Sequence, residues 1–575
     1  MDATVRPGNK PTRPGFLDLY TPKFVTVLRE GYGWHSLQAD AIAGLTVAVV
    51  ALPLSMAIAI ASGTTPDRGL YTAIVGGFLV SLLGGSRFQI GGPAGAFIVL
   101  VAATVAQHGI DGLILATLLS GLILIAVGLL RLGTYIKFIP YPVTVGFTAG
   151  IAVIIFASQI KDLLGLTLAD KEPGELVEKL HVLWLASDTI NPAAVLVALS
   201  SILIILGLRR VRPAWPGMLI AVAVTSLAAA IFALPVDTIG SRFGGIPNAL
   251  PLPSLPSLSP DRILAVLPNA ISFALLGAIE SLLSAVVADG MTGRRHRSNC
   301  ELVAQGIANI GSGLFGGICV TGTIARTATN VRAGARGPVS GMLHSLFLLA
   351  FMLVAAPLAA FIPLSALAGV LAVVAWNMAE RHQFVTLVRS SPGDAVVLLA
   401  TFLLTVFRDL TEGIVVGFAL GALLFIGRMA QVTGVEAHAP EVPADRADSA
   451  NGDRRPYEPG IATNPDVVIY RITGAFFFGA AAAVGTVLDN ISDQRKALVI
   501  DFAAVPFLDS TAANTIAGVA RKAKRNGIAV YITGASPSVR RTLLTHGTRP
   551  PLARFVSTID KAMATVAAKS ERAAA

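Results

Sequence analysis

The chain of 575 residues is 54% hydrophobic and 14% charged, about half the charge of an ordinary soluble protein. Most of it must therefore sit in lipid, and the formal net charge of +10 does not read as a nucleic-acid surface, because its Lys and Arg lie in short connections between apolar runs. Two cysteines, Cys300 and Cys319, exclude a disulfide framework, and neither they nor scattered histidines such as His35 and His108 have metal-ligand spacing.

Residues 1–36 are polar, with no spanning run and no cleavable signal peptide. The first predicted span starts near Asp40 and carries Pro53 at its middle, where a membrane helix tolerates proline if neighbours or a cavity satisfy the freed carbonyl. The next apolar stretch, about 69–106, is interrupted by Gly84-Gly85 and by Gly91-Gly92-Pro93. It reads as a span, a few extended residues and a helix restarting at Pro93 inside the bilayer, since Pro favours the first helical turn. Further spans are predicted at about 113–130, 138–160, 192–208, 215–235, 263–289, 301–315, 321–333, 337–357, 361–379, 393–408 and 411–430. The short Gly-broken pieces bring the expected total to fourteen. With the N-terminus inside, the predicted cytoplasmic connections hold Arg131 and Lys137, Arg209 to Arg212, Arg294 to Arg297, Arg332 and Arg336, Arg381 and Arg389, and Arg428. That satisfies the positive-inside rule nearly throughout and places both termini in the cytoplasm, with the chain in the inner (plasma) membrane.

An internal repeat is visible. Phe138-Ile139-Pro140 returns as Phe361-Ile362-Pro363, and Gly84-Gly85 returns as Gly316-Gly317 at a similar offset. The repeats span about 37–235 and 263–431. Seven spans per half is an odd number, so the second half must be inserted upside down, and matched broken helices in inverted repeats point to a transporter site near the midplane.

Two half-helices are predicted to start there, at Pro93-Ala94-Gly95-Ala96-Phe97 and at Thr323-Ile324-Ala325-Arg326-Thr327. Each N-terminus offers unpaired N–H groups and about half a positive charge, so two of them facing each other attract an anion. Gly95, Ala96, Phe97, Ala325, Arg326 and Thr327 are the candidate substrate residues, with Ser55 beside Pro53 as a weaker one. The competing reading of the small residues is close helix packing. Arg326 either lends fixed charge to the substrate, pairs with Glu280 or snorkels. Glu280, an acid deep in an apolar span, either carries a coupling proton, ligates Na⁺ together with Ser284 at i, i+4, or neutralises Arg326. Of the two coupling ions the proton is favoured, because Arg326 already supplies a cation beside the anion.

Residues 432–463 are rich in Pro, Asp and Arg without apolar period, a linker. Residues 464–570 turn to a soluble α/β pattern: VVIYRITG, ALVIDFAAV and AVYITG read as strands, alternating with amphipathic segments such as Val484–Ile491 and the helix after Ser510.

Several stretches resemble the SulP sulfate permease (solute carrier 26) family: AGLTVAVVALPLSMAIAIASG, GLYTAIVGGFLVSLLGGSRFQIGGPAGAF, AIESLLSAVVADGMTG, SNCELVAQGIANIGSGLFGG and TGTIARTATNVRAGAR. The C-terminal region, with PFLDST at Pro506–Thr511, resembles a STAS domain. The resemblance implies a polytopic α-helical membrane protein with a seven-plus-seven inverted repeat, a core domain moving against a gate domain in an elevator-type cycle, and a homodimer. It implies an anion between the third and tenth helices, with Arg326 beside it. It also implies that Ser510 corresponds to a regulatory phosphorylation site in related STAS domains, where a protein partner could bind; its local alternative is a helix cap. Many relatives carry Gln just after the proline of the first span, whereas here Leu54-Ser55 follows Pro53. Sulfate, bicarbonate and C4-dicarboxylates such as fumarate are all substrates within the family.

The expected function is secondary active anion transport, with proton symport ahead of Na⁺-coupled bicarbonate symport, exchange or uniport. A membrane-anchored anion sensor signalling through the STAS domain is the alternative of a different class. No nucleotide-binding GxxxxGK[ST], catalytic set or cofactor motif appears.

Overall fold

The computed structural model describes residues 15, 19–136, 139–168, 172–173, 175–212, 215–408, 410–432, 434–437, 467–477 and 496–574. The chain divides into two compact units, Met1–Ala419 and Leu420–Ala575.

The first unit is helical. After α1 (Lys23–Arg29) comes α2 (Trp34–Ala61), which keeps Pro53 inside it. Next, α3 (Pro66–Tyr71) runs through a π-helical turn, Thr72–Gly76, into α4 (Gly77–Leu83). An extended segment containing strand β1 (Gly91–Gly92) leads to a 3₁₀ turn, Gly95–Phe97, and then to α5 (Ile98–Leu129). Gly109, at φ 68°, breaks α5 where the sequence separates two spans. The first repeat continues with α6 (Gly133–Ile136), α7 (Tyr141–Leu164), α8 (Leu176–Leu185), α9 (Pro192–Val211) and α10 (Gly217–Ile231).

After α11 (Ile239–Phe243), the second repeat mirrors this order. It runs α12 (Pro260–Thr292), α13 (Ser298–Leu314), strand β2 (Thr321–Gly322) and α14 (Ile324–Arg332). Then come α15 (Val339–Ala359), α16 (Leu364–Met378), α17 (Arg381–Ser390), α18 (Pro392–Phe407) and α19 (Leu410–Val432). Local chemistry sets many of the ends. Pro66, Pro192, Pro260 and Pro392 open helices, where a missing N–H costs nothing. Asn191, Ser259 and Ser391 cap three of these through their side chains, and Gly165 and Gly293 close α7 and α12 in the left-handed region.

Among the described residues, seven helices are long and apolar enough to cross a membrane: those starting at Trp34, Gly95, Tyr141, Pro192, Pro260, Val339 and Leu410. Gly217–Ile231 and Pro392–Phe407 are shorter apolar helices. The other places in the expected series fall on interrupted or short pieces.

Strands β1 and β2 pair antiparallel, Gly91 with Gly322 and Gly92 with Thr321. Two equivalent segments from an inverted repeat must run in opposite senses, as these do. Pro93 does not open the helix as expected. It lies in the extended segment, Ala94 is the N-cap and the turn begins at Gly95, because the strand pairing holds the preceding residues extended.

The second unit is an α/β layer. Its sheet runs β3 (Gly434–Ala437), β4 (Val467–Thr473), β5 (Ala497–Ala504), β6 (Ala529–Thr533) and β7 (Arg554–Phe555) in spatial order. The β3–β4 pair is antiparallel and the others are parallel. Along β5, Leu498, Ile500 and Phe502 enter the core with α20 (Ser510–Arg525) and α21 (Pro537–Thr545). Val499 points the other way, to α22 (Ile559–Ala574). The sheet therefore begins inside the stretch read as linker. An edge strand of four residues needs main-chain pairing, not an apolar period. The expected amphipathic segment Val484–Ile491 and the rest of the linker lie outside the described residues.

Candidate functional site

The β1–β2 pair is held by side chains from the flanking helices. Asn309 on α13 brackets Val320: its Nδ2 donates to the carbonyl at 2.8 Å and its Oδ1 accepts from the N–H at 3.1 Å. Ser312 Oγ donates to Ile318 O at 2.7 Å, and Thr72 Oγ1 accepts from Ile318 N–H at 2.7 Å. On the other strand, Asn330 Nδ2 donates to Phe88 O at 2.9 Å and Thr327 Oγ1 accepts from Ile90 N–H at 3.1 Å. Irregular backbone is tolerated at membrane depth only when its polar groups are satisfied in this way.

Both following helices start without a side-chain cap, at Ala94 and Thr323. Among the described residues the N–H groups of Gly95, Ala96, Ile324 and Ala325 meet no backbone or side-chain acceptor. Ala325 is exposed and Gly95 half-buried. Ala96 and Phe97 are buried, and the Phe97 ring packs edge-on against Phe273 with centroids 6.0 Å apart. Phe97 thus acts as a wall anchored in α12.

Arg326 is 2% exposed. Its Nη2 donates to Ser55 Oγ at 3.1 Å and to Pro93 O at 3.3 Å, while Nε and Nη1 have no partner among the described residues. The guanidinium lies under β1, where a Cβ built on Gly92 would fall on Nη1. One side chain thereby joins α14 to α2 and to the entry of the first half-helix. Of the readings offered for Arg326, the ion pair with Glu280 and the snorkel are not what the structure has: the buried side chain turns inward under β1, where Ser55 accepts from it.

Glu280 is 7% exposed and makes no hydrogen bond or ion pair with a described residue. Its α12 neighbours are committed. Ser281 Oγ accepts from Gln89 Nε2 at 2.7 Å, and Gly277 O accepts from Thr321 Oγ1 at 3.1 Å. Ser284 Oγ donates to Thr327 Oγ1 at 3.0 Å. The hydroxyls of Ser284 and Thr327 thus meet each other, tying α12 to α14.

Sequence reasoning missed Gln89, Glu301, Asn309, Asn330 and His344. Glu301 is fully buried, accepting from Ser86 N–H at 2.9 Å and from Gln305 Nε2 at 3.2 Å. Each is a polar residue in an apolar or Gly-broken run, the same signal that singled out Glu280. Ser510 is exposed at the first position of α20, and the capping role belongs to Asp509, whose Oδ1 accepts from Ala512 N–H at 2.8 Å. Among the described residues no group of three His, Cys, Asp or Glu side chains is placed to hold a metal.

A many-helix membrane unit with two opposed, uncapped half-helices over a buried arginine, joined in sequence to a small α/β domain, defines an anion transporter with a STAS domain. The profile of the sulfate permease family matches residues 37–401 and that of the STAS domain matches 458–562. The chain is 40% identical over 526 residues to a putative sulfate transporter, YvdB, of Bacillus subtilis, covering 89% of this chain and 94% of the relative. It is 33% identical over 527 residues to the bicarbonate transporter BicA of Synechocystis, covering 89% and 90%. The solved transmembrane domain of a cyanobacterial BicA superposes with a TM-score of 0.61 at 34% identity, over 66% of this chain and 98% of that one. The murine solute carrier 26 member A9 anion transporter, in its inward-facing state, superposes with a TM-score of 0.83 over 99% of this chain and 97% of that one. At 18% identity that likeness shows the fold alone. The chain belongs to the sulfate permease family; it is a multi-pass anion transporter and not an enzyme.

Proposed function

We propose that this protein is a proton-coupled symporter of an oxyanion or dicarboxylate, working by an elevator-type cycle, with the anion seated at the paired N-termini of Gly95–Phe97 and α14. The observation that carries the reading is that, among the described residues, four N–H groups at the two helix starts are unpaired and the buried guanidinium beside them has no acid partner. A buried charge without a counter-ion is costly, and a bound anion is the natural counter-ion. Coupling by proton is supported by Glu280, an acid at membrane depth whose carboxylate no neighbour satisfies. A carboxylate there repels the anion, whereas its protonated form does not, so proton and anion travel together. Na⁺ coupling is the weaker reading, because Arg326 already supplies a cation beside the anion. The rim of the site supports sliding: a Cβ on Gly95 would lie 3.1 Å from Ile155 Cδ1 and 3.6 Å from Met378 Sδ, apolar groups of α7 and α16.

Sulfate and bicarbonate are the anions after which the similar proteins are named, and fumarate extends the set to a longer dianion. The inner-membrane location with cytoplasmic termini rests on the distribution of Lys and Arg, and the homodimer on the family resemblance.

Uptake of labelled sulfate, bicarbonate and fumarate into proteoliposomes, with an inward proton or sodium gradient, tests the proposal. Wild type is expected to show proton-driven uptake of one of them. Glu280→Gln should keep binding but lose the response to the gradient, and Arg326→Ala should lose saturable uptake while remaining folded. Wild-type uptake by Arg326→Ala would remove the guanidinium from the site, and sodium-driven uptake would recast Glu280 as a cation ligand.

A further inference from the structure

Strands β1 and β2 are two residues each, and each is crossed by a side chain from the other repeat. Gly91 opposes Gly322 and Gly92 opposes Thr321. Because side chains alternate along a strand, Gly91 and Gly322 look to one face of the ribbon and Gly92 and Thr321 to the other. Arg326, from the second repeat, passes Gly92 and reaches Ser55 on α2. On the opposite face Gln89, from the first repeat, passes Gly322, where an added Cβ would fall on Gln89 Nε2. That nitrogen donates to Ser281 Oγ on α12 at 2.7 Å. In both cases the crossed strand is tied to the long helix that opens its own repeat. The two crossings are thus mates under the inverted repeat, one charged and one neutral.

Gln89 is 3% exposed and Ser281 is fully buried. The carbonyl of Gln89 accepts from Ser81 Oγ at 3.4 Å, and that of Ile90 accepts from Thr323 N–H at 3.1 Å. Thr323 is the N-cap of α14, one residue beyond Gly322. The Gln89 amide therefore lies against the residue that leads into the second helix end, whose free N–H groups belong to Ile324 and Ala325. From the Arg326 face, Thr321 Oγ1 donates to Gly277 O, one turn before Ser281, so β2 is bonded to α12 from both sides. Among the described residues Oε1 of Gln89 has no partner, which leaves the bond to Ser281 as the polar contact of its head group. Burying an amide for a single bond costs hydration. An apolar side chain of the same length would fill the space without that cost, so filling space does not account for the amide.

We infer that Gln89 is a positioning residue of the anion site, the neutral counterpart of Arg326, which fixes β2 against α12 and so aims the N–H groups that open α14. It touches no anion. Without its bond the ribbon keeps its backbone pairing, but the second helix end is no longer held in one orientation toward the first. This inference rests on the reading that the anion sits at the two helix ends.

The test is concentration-dependent uptake by the full chain in proteoliposomes, with whichever of sulfate, bicarbonate and fumarate wild type carries. Gln89→Met keeps the length of the side chain and removes the bond. It is expected to raise KM about fivefold at nearly unchanged turnover, the scale of one neutral hydrogen bond. Ser281→Ala removes the same bond from the other side and should raise KM equally. The double variant should be no worse than either single one, because both lose one shared interaction. Should Gln89→Met fail to fold, Ser281→Ala decides alone. Wild-type KM in the folded single variants, losses that add in the double variant, or a lower turnover at wild-type KM would each overturn the inference. The last of these is what a purely structural role would give. Failure of the site itself looks different: wild-type KM in Arg326→Ala removes the site reading, whatever Gln89 does. Lost saturable uptake in Arg326→Ala beside wild-type KM in Gln89→Met and Ser281→Ala removes the role of Gln89 alone.

Discussion

At the scale of single residues, the energetics of Arg326 decide how the site is read. A guanidinium at the centre of a membrane helix costs about 2.5–3.5 kcal/mol on insertion scales. Hydrogen bonds to a charged group return about 1.5–3 kcal/mol each, so the two made by Nη2 offset part of the cost while Nε and Nη1 stay unsatisfied among the described residues. Its charge is then free to act on a ligand. Gly92 is the residue that makes room, since any Cβ there meets Nη1. Because that atom ends a flexible side chain, Gly92→Ala should fold and displace the guanidinium instead of breaking the β1–β2 pair. The expected result is a KM roughly tenfold higher, about 1.4 kcal/mol, with little change in melting temperature of the purified protein. An unchanged KM would mean that the position of Arg326 is immaterial to binding. Arg326 and Glu280 were legible in the sequence, since ionisable residues in apolar runs announce themselves. Their independence was not, because nothing in the residue order says that the arginine chain passes beneath a strand toward Ser55.

At the scale of elements, the broken helices were legible from Gly-Gly and Gly-Gly-Pro interruptions, which no continuous helix keeps. What joins them was not. A strand of two residues has no periodicity, so the pairing of Gly91-Gly92 with Thr321-Gly322 leaves no trace in hydropathy. The polar side chains that hold it, Asn309 foremost, look like ordinary substitutions within a span. Asn309 satisfies both backbone groups of buried Val320, so Asn309→Ala leaves a donor and an acceptor stranded in a dry interior. The expected cost is about 1–3 kcal/mol, read as a lower melting temperature in detergent together with lost uptake, because β2 aims α14. Partial rescue by Asn309→Asp, which restores the acceptor for Val320 N–H but not the donor, would fit this account. Full activity in Asn309→Ala would show that β2 holds its place without the bracket.

At the scale of the molecule, the repeat and the change from membrane to soluble pattern were both legible, because each rests on long stretches of composition. One strand of the soluble sheet lies within the stretch read as linker. Gly434–Ala437 carries no apolar alternation, yet it pairs with Thr473 to Tyr470 at the edge of the STAS sheet. Every residue of the proposed anion site lies within Met1–Ala419, whereas the sheet lies within Leu420–Ala575. Truncation should therefore follow Val432, since a cut at 464 leaves the β3 strand with its pairing groups unmatched. A chain ending at Val432 is expected to bind its anion with wild-type KM, because both helix ends, Arg326 and Glu280 are retained. Turnover or membrane abundance should fall, as those depend on whatever the STAS domain regulates. The check is concentration-dependent uptake by truncated and full chains, normalised to folded protein in the liposomes. A raised KM in well-folded truncated protein would mean that the soluble domain shapes the site, and the division of labour between the two units would have to be redrawn.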